Sequence, residues 1–248
     1  MTFRAHGSGP AGGTASGRTA AAMRETLSVV IPTLQAAATL PRTIASVASG
    51  ADEIIVSDCG SSDGTGDVAR RMGATVVTGR KGRGPQLNLG AATARGEWLL
   101  FLHADTALAP GWTNDAAAWM ARDQAREQAA VFRFALDARE WQARVLERLV
   151  SLRVHLLALP YGDQGLLIHR TLFDRLGLFR PIAIMEDLDA VRAIGRRRLT
   201  VLPSRAVTSA RKWREEGWLR RSGRNMACAA LYRMGISPDR IAALYGTQ

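Results

Sequence analysis

The amino-acid sequence predicts an α/β fold with a mostly parallel central sheet flanked by helices. Short apolar runs alternate with amphipathic segments over residues 27–105, which is the pattern of strands joined by crossover helices. Glycine and proline residues separate these segments where the chain has to turn. The chain of 248 residues, 47% of them hydrophobic and 22% charged, is long and apolar enough to bury one sizeable core.

The first half of the chain contains four predicted strands, each a short apolar run that stops at a polar residue or at proline. They occupy residues 27–33, 53–58, 75–78 and 98–102. The first helix has Pro41 in its opening turn, the second ends at Met72, and the third covers about residues 86–95. A basic, glycine-rich loop at residues 79–85 precedes this third helix.

Three of these strands end in side chains that can bind a ligand. Thr33 and Asp58 close the first two strands, and His103 and Asp105 follow the fourth. Ligands of open α/β sheets bind just beyond the carboxyl ends of the strands. The convergence of Thr33, Asp58 and Asp105 on one edge therefore predicts a nucleotide-type site. An Asp at a strand end is also common as a turn or cap residue, so the pattern has a purely structural alternative.

After residue 110 the pattern predicts further strands and helices in a less regular order. We expect strands at residues 131–136, 165–168 and 199–202, and helices at residues 111–122, 141–159, 171–176 and 216–234, followed by a last helix from Pro238. The acidic run at residues 186–189 is placed in the first turn of another helix, where the helix dipole favours negative charge.

The helix predicted at residues 141–159 carries an apolar stripe at helical spacing. The stripe consists of Val145, Leu149, Leu152, Leu156 and Leu159. We interpret it as packing against the core, with a helix face that lies on a membrane as the alternative.

The net charge of +11 is concentrated in the C-terminal part of the chain. Residues 1–138 contain 13 Lys and Arg against 12 Asp and Glu, whereas residues 139–248 contain 20 against 10. This excess predicts an anionic partner such as nucleic acid, a membrane surface or a phosphorylated substrate, although a bias toward Arg codons would also produce it. In residues 211–224, basic side chains alternate with Trp213 and Trp218, a mixture suited to a membrane interface.

Cysteine content and hydropathy indicate the cellular compartment in which the protein is expected to occur. Cys59 and Cys228 alone exclude a zinc ribbon or a disulfide scaffold and favour a reducing compartment. No apolar run is long enough to span a bilayer, and the first residues lack the apolar stretch of a secretory signal. We expect a cytoplasmic protein, with peripheral contact to the inner face of the membrane as an option. The composition of residues 1–24 predicts a disordered tail. We interpret Met23 as the native first residue, with a transit peptide as the alternative for this segment.

Motifs along the chain resemble those of family-2 glycosyltransferases of the GT-A fold. The matching segments are residues 29–33, 54–65, 86–91 and 101–105. The runs Gly162-Asp163-Gln164-Gly165 and Met185-Glu186-Asp187 are similar to those of a small soluble branch of that family. The resemblance implies one domain over residues 25–248, divided into a nucleotide-binding half at 25–109 and an acceptor half at 110–248.

The resemblance implies that the strand ends bind a nucleotide-diphosphate sugar. The implied binding residues are Pro32, Thr33, Asp58, Arg83, Asn88, His103, Ala104 and Asp105. Asp105 matches the last acid of the family's DxD motif, which holds Mg²⁺ or Mn²⁺ on the diphosphate. The first acid of that motif is His103 in this chain, and imidazole is a poorer ligand for Mg²⁺. We therefore expect Asp105 to be the protein ligand of the metal and His103 to bind the ribose.

The same resemblance implies inversion at the anomeric carbon in one displacement. A carboxylate then removes the proton of the acceptor hydroxyl, and Asp187 matches the family's base, with Glu186 beside it as the second choice. Asp163 and Gln164 are the implied acceptor-binding residues. The acceptor is a hydroxyl compound, for which lipid-linked and anionic molecules both stay open.

Two other function classes fit parts of the sequence. Residues 64–69 match a GxGxxA dinucleotide fingerprint and, with the basic run after the next strand, leave an NADP-type Rossmann oxidoreductase as an alternative. The C-terminal Arg excess with Trp213, Trp218 and Tyr232 would suit a nucleic-acid-binding protein. The ordered set of motifs makes nucleic acid the less favoured partner.

Overall fold

One eight-stranded sheet organises the part of the chain that the structure describes. The computed structural model describes residues 25–177, 179–182 and 184–245. The strands are β1 Leu27–Thr33, β2 Glu53–Asp58, β3 Thr75–Thr78, β4 Trp98–Phe101, β5 Thr106–Leu108, β6 Ala129–Leu136, β7 Leu166–His169 and β8 Leu199–Thr208. The predicted tail at residues 1–24, including the predicted start at Met23, lies outside the described residues.

Helices connect and cover these strands. They are α1 Leu40–Val47, α2 Thr65–Arg71, α3 Arg83–Thr93, α4 Trp112–Met120, α5 Trp141–Leu157, α6 Arg170–Arg175, α7 Glu186–Ile194, α8 Arg211–Glu216, α9 Trp218–Arg233 and α10 Pro238–Tyr245. A 3₁₀ turn at Gly162–Gln164 precedes β7. No helix among the described residues combines the length and the apolar character that crossing a membrane requires.

The sheet is parallel at one end and mixed at the other, in the order β3-β2-β1-β4-β7-β6-β8-β5. The first four strands in that order run parallel to one another. β7 is antiparallel to both of its neighbours, β6 and β8 pair in parallel, and β5 is antiparallel to β8. The carboxyl ends of β1, β2 and β4 therefore lie side by side at one edge, as the sequence predicts.

Alternate residues of β1 belong to two hydrophobic cores, one on each face of the sheet. Val29 and Ile31 belong to a core that includes the inner faces of α1 and α4. Val30 belongs to a second core on the opposite face, which includes residues of α3, α6 and α7. All three side chains are fully buried, as expected for a central parallel strand covered by helices on both sides.

The predicted strands and helices of the first half are confirmed, with two differences at the edge that carries the polar residues. α3 begins at Arg83 rather than near residue 86, because Gly82 turns the chain with φ of 128° and Pro85 fits the first helical turn. The three-residue strand β5 was not predicted. Its three residues are too few to show the alternation of apolar and polar side chains that marks a strand in the sequence. It forms by pairing with β8.

Two differences concern the second half. β8 continues beyond the predicted end at residue 202, because Pro203 falls where the register between β6 and β8 shifts, and the ladder resumes at Arg205. The helix predicted at residues 216–234 is α9, which begins at Trp218. Gly217, whose φ of 87° favours glycine, separates it from the short helix α8, which was not predicted.

Four of the five residues of the predicted apolar stripe do not pack against the core, so that interpretation is wrong for them, whereas Leu159, which follows α5, is partly buried against a core that includes Tyr232. Leu149, Leu152 and Leu156 are between 53% and 57% exposed, and Val145 is 42% exposed. The buried residues of α5 are Ala143, Val150 and Val154. These side chains, together with the partly buried Leu146, pack against a core that includes Trp213 of α8, and the large side chains of the predicted stripe are left outside.

Gly90 provides a test of how closely α3 packs on β1. A Cβ at Gly90 would lie 2.3 Å from Cγ1 of Val30. We expect Gly90→Ala to lower the free energy of unfolding, measured in urea, by about 1–3 kcal/mol, because overpacking outweighs the gain in helix propensity. The matched control is Gly223→Ala in α9, where an added Cβ meets nothing within 4 Å. This control should gain up to about 1 kcal/mol. A gain for Gly90→Ala would contradict the packing described.

Candidate active site

Two adjoining cavities lie at the carboxyl edge of β1 and β4. The first, which we call the β1 cavity, has a volume of about 480 Å³ and is lined by the turn after β1, the start of α3 and the start of α8. The second, the α7 cavity, has a volume of about 160 Å³ and is lined by the turn before β7, the start of α7 and residues of α8 and α9. Arg83, His103, Asp105 and Lys212 border both cavities, which are therefore two compartments of one site.

The turns after β1 and β2 are tied together by side-chain hydrogen bonds. Gln35, which has φ of 52°, accepts the N–H groups of Ser62 and Asp63 through Oε1 at 3.0 and 3.2 Å. These bonds hold the turn that follows Pro32 and Thr33, two predicted site residues that line the β1 cavity.

The glycine-rich run at residues 64–69 does not line either cavity. The N-terminus of α2 is occupied by its own chain, since Asp63 Oδ1 accepts both the N–H and the hydroxyl of Thr65. A dinucleotide fingerprint needs that helix end open to a pyrophosphate. The geometry therefore does not favour the NADP-type alternative.

Asp58 lies at the predicted edge but does not line either cavity. It is 6% exposed, and its Oδ2 accepts the N–H groups of Gly60 and Ser61 at 2.9 and 2.8 Å. Its Oδ1 accepts the hydroxyls of Thr33 at 2.8 Å and Ser61 at 2.6 Å. Burial raises the pKa of Asp58, but these hydrogen bonds outweigh it and lower the pKa below its ordinary value. Asp58 thus holds the turn behind the cavity wall.

Helix α3 contributes Gln86 to the β1 cavity rather than Asn88. Gln86 is buried, and its Nε2 donates to the carbonyl oxygens of Thr33 at 2.7 Å and Ser57 at 2.8 Å, which joins the ends of β1 and β2. The amide of Asn88 exchanges two hydrogen bonds with the backbone of Phe179. Asn88 therefore anchors the segment before α7, whereas Gln86 is a site residue that the sequence analysis did not select.

His103 lies in the wall between the two cavities. Burial, and after it the positive charge of Arg83, lowers the pKa of His103 to about 4, although Asp105 and Asp187 act in the opposite direction. The imidazole is therefore neutral at physiological pH and can accept a hydrogen bond or donate one. Packing here is close, since a Cβ on Gly162 would lie 2.5 Å from Nε2 of His103.

The two acids at the start of α7 point to different places. Met185, with φ of 70°, turns the chain into the helix. Asp187 lines the α7 cavity, where its Oδ2 accepts the N–H of Gly162 at 2.7 Å. Glu186 is 1% exposed and lies 3.2 Å from the guanidinium of Arg83, measured from Oε1 to Nη1. Burial raises the pKa of Glu186, and Arg83 opposes the shift. Of the two carboxyl groups, Asp187 is the one that faces the cavity.

The turn before β7 also contains two predicted site residues, of which one lines the cavity and the other does not. Asp163 lines the α7 cavity, and its Oδ1 is buried without a hydrogen-bond partner among the described residues. Burial raises the pKa of Asp163 to about 7, with Arg153 opposing and Asp187 reinforcing the shift. Gln164 is 1% exposed, donates through Nε2 to the carbonyl oxygen of Phe132 at 2.9 Å, and does not line the cavity.

Part of the basic segment 211–224 faces the site, although the sequence pattern, which leaves an anionic substrate and a membrane surface both open, does not show which of its residues do so. Lys212 borders both cavities, and Arg221 lines the α7 cavity. Arg221 lies over the ring of the buried Trp213 at 4.9 Å and pairs with Glu216 at 2.5 Å. Partial burial lowers the pKa of Lys212, and Asp105 opposes this shift. The site therefore presents positive charge to an anionic ligand.

The acids of the site do not form a metal centre by themselves. Among the described residues, no group of three or more His, Cys, Asp or Glu side chains is arranged to hold a metal ion. Asp105 borders both cavities beside His103, so its carboxylate can contribute one oxygen ligand to a cation that also binds oxygen atoms of a ligand.

Comparison with known proteins identifies relatives of this chain. The model of the family described as glycosyl transferase family 2 matches residues 28–176, which is more than half of the chain. The PGL/p-HBAD biosynthesis glycosyltransferases of Mycobacterium bovis and Mycobacterium tuberculosis are 38% identical to it over 91 residues. That match covers 33% of this chain and 36% of those proteins, so it spans about a third of their length.

Solved structures share the fold at low sequence identity. The mannosyltransferase PcManGT from Pyrobaculum calidifontis, in complex with GDP-Man and Mn²⁺, has a TM-score of 0.64 and 21% identity, covering 88% of this chain and 67% of that one. Glucosyl-3-phosphoglycerate synthase from Mycobacterium tuberculosis, in complex with Mn²⁺, UDP and phosphoglyceric acid, has a TM-score of 0.58 and 22% identity, covering 86% and 80%. The predicted GT-A fold is confirmed by these likenesses.

The raised pKa of Asp163 predicts a pH dependence of stability. The folded carboxyl titrates at about 7 and the ordinary value is 3.8, so between these pH values the folded state binds more protons and loses stability as the pH rises. Asp163→Asn removes this loss. We expect the free energy of unfolding of the variant, relative to the wild type, to increase from pH 4 to pH 7 by up to about 4 kcal/mol and then to level off.

Urea unfolding at a series of pH values measures this difference. The matched control is Asp174→Asn, which removes an exposed carboxylate from α6 and should show no comparable rise. A difference for Asp163→Asn that stays flat between pH 4 and pH 7 would mean that Asp163 is hydrated rather than buried.

Proposed function

Because the chain belongs to glycosyl transferase family 2, we propose that it transfers a sugar from a nucleotide-diphosphate sugar to a hydroxyl group of an acceptor. The observation that carries this proposal is that Asp105 and Asp187 border the same α7 cavity, which adjoins the larger β1 cavity at Arg83 and His103. The β1 cavity then takes the donor, and the α7 cavity brings a carboxyl group to the acceptor. This assignment follows the predicted division into halves at residues 25–109 and 110–248.

The donor nucleotide fits the β1 cavity. Pro32, Thr33 and Ala104 line it with small side chains, and Lys81 and Arg83 supply positive charge for a diphosphate. The neighbouring solved structures hold UDP or GDP-Man, so donors with uracil or guanine are the first to test. Asp58 supports this compartment from behind by fixing the turn that carries Thr33.

A divalent cation, Mg²⁺ or Mn²⁺, fits beside Asp105. Such hard cations bind carboxylate oxygens and fill their other positions with phosphate oxygens and water, which suits a single protein carboxylate next to a diphosphate site. Imidazole is a softer ligand, so His103 is expected to hydrogen-bond the donor rather than to hold the metal. When bound, the cation offsets the charge that builds up on the departing nucleotide diphosphate.

We assign the role of general base to Asp187. Its carboxylate accepts the proton of the acceptor hydroxyl while the hydroxyl oxygen bonds to the anomeric carbon, and the bond from that carbon to the diphosphate oxygen breaks with its electron pair. Attack opposite the leaving group inverts the anomeric configuration. The N–H groups of Gly162 and Leu188 donate to Oδ2 and Oδ1 of Asp187, which orients the carboxylate and leaves one lone pair on each oxygen for the acceptor hydroxyl. Glu186 is less suited, because it is buried against Arg83.

The acceptor compartment favours a polar, anionic hydroxyl compound. Asp163, with a pKa of about 7, can donate or accept a hydrogen bond to an acceptor hydroxyl near neutral pH. Lys212 and Arg221 offer charge-assisted hydrogen bonds to a phosphate or carboxylate group. Free phosphorylated hydroxyl compounds and phosphate-bearing lipids share this chemistry and are the acceptors to screen.

Asp187→Asn tests the assignment of the base. The amide cannot accept the hydroxyl proton, so we expect transfer to fall about 10²–10⁴-fold, while the thermal shift caused by UDP or GDP with Mn²⁺ stays as in the wild type. Transfer is measured as nucleotide diphosphate released with an acceptor that the screen identifies. Asp174→Asn on the exposed face of α6 serves as the control. Transfer by Asp187→Asn above a tenth of the wild-type rate would refute the assignment.

Asp105→Asn tests the metal site through ligand binding rather than activity. In the wild type, Mn²⁺ should increase the thermal stabilisation by UDP or GDP, because a ligand present at about a hundred times its Kd adds about 2.7 kcal/mol. The variant should keep the small shift caused by the nucleotide alone and lose the increment caused by Mn²⁺. An unchanged increment would mean that the metal binds elsewhere, and the absence of any nucleotide shift in the wild type would speak against the donor site itself.

A further inference from the structure

Helix α5 presents its large apolar side chains to solvent as one stripe. We define the α5 stripe as Trp141, Val145, Leu149, Leu152 and Leu156. Trp141 is the most exposed of them at 71%, and the three leucines are more than half exposed. With 3.6 residues per turn, these five side chains lie within an arc of about 80°. The buried residues of α5 lie on the opposite face, so the fold holds the helix without using its apolar stripe.

Positive charge lies along one flank and at one end of the α5 stripe. Arg144 and Arg148 follow its edge at helical spacing, and His155 continues the same row of polar side chains. At the C-terminal end, Arg196 donates to the carbonyl oxygen of Leu156 at 3.0 Å. The acid of this helix, Glu147, is turned toward the protein, where it accepts the N–H of Leu136 at 2.8 Å and pairs with Arg144 at 2.7 Å. The exposed surface of α5 thus combines an apolar centre with a basic border.

We propose that the α5 stripe docks on the surface of an anionic lipid bilayer. A helix with an apolar face and basic flanks lies in the plane of a membrane interface, with the apolar side chains inserted and the cations near the lipid headgroups. Trp141 stands at one end of the stripe, and indole is favoured at the boundary between headgroups and acyl chains. The basic border is complementary to anionic lipid, which distinguishes this occupant from a neutral protein surface.

The proposed docking face is next to the acceptor compartment. Arg153 of α5 stacks on the ring of Tyr161, with Cζ 3.5 Å from the ring centroid, and Tyr161 lines the α7 cavity. A bilayer bound along α5 would therefore lie beside the acceptor compartment of the proposed function. The docking itself does not depend on that function, because it requires neither donor nor acceptor.

Vesicle flotation tests the proposal with the full chain. We expect the wild type to float with vesicles of phosphatidylcholine and phosphatidylserine, to float weakly with phosphatidylcholine alone, and to be released by high salt. Leu149→Gln combined with Leu152→Gln should lower the bound fraction roughly tenfold or more, since two inserted side chains lose their apolar character. Arg148→Gln should weaken binding to vesicles that contain phosphatidylserine and should leave the weak binding to pure phosphatidylcholine vesicles unchanged.

The control replaces an exposed apolar side chain at the other end of the sheet. Met72, which follows α2, is 36% exposed, and Met72→Gln should float like the wild type. Circular dichroism and the melting temperature check that each variant is folded, which is expected because the replaced side chains are exposed. The proposal is overturned if the wild type fails to bind anionic vesicles at low salt, or if the double variant binds as well as the wild type. It is also overturned if sedimentation shows a dimer that the double variant abolishes while no vesicle binding occurs.

Discussion

The site depends on a hydrogen bond from the N–H of Gly162 to Oδ2 of Asp187, 2.7 Å long, between residues 25 positions apart. It joins the turn before β7 to the start of α7. The position needs glycine, because a Cβ there would lie 2.5 Å from Nε2 of His103 and 3.4 Å from Asp187. The end of β4, the turn before β7 and the start of α7 therefore meet at one point, and this contact forms the α7 cavity between them.

Burial then decides the charge of the groups that line this contact. The pKa of His103 is lowered to about 4 and that of Asp163 is raised to about 7, in each case chiefly because the charged form is removed from water. Glu186 is buried, and the partly exposed Arg83 beside it provides a compensating positive charge. The carboxyl groups of Asp105 and Asp187 are left facing the cavities, and the roles proposed for the metal ligand and the base follow from this separation.

The family match and the acceptor compartment cover different parts of the chain. Residues 28–176 include most residues that line the β1 cavity, among them Asp105, and also Asp163, whereas Asp187, Lys212 and Arg221 lie beyond the matched residues. The donor half is therefore the part that this chain shares most clearly with the family. The C-terminal helices complete the α7 cavity, so under the proposed function the choice of acceptor depends mainly on residues that lie outside the family match.

The sequence by itself determined seven of the eight strands, the edge at which the parallel strands end, and the choice of Asp105, Asp163 and Asp187 as candidate site residues, because apolar periodicity and motif order are local properties of the chain. The tertiary structure alone decided which neighbouring side chain faces the cavity: Asp187 rather than Glu186 and Asp163 rather than Gln164. It also reversed the interpretation of α5, whose larger apolar side chains face outward although their spacing fits a core. Spacing shows that side chains share a face, but only packing between distant segments fixes whether that face meets the protein or the solvent.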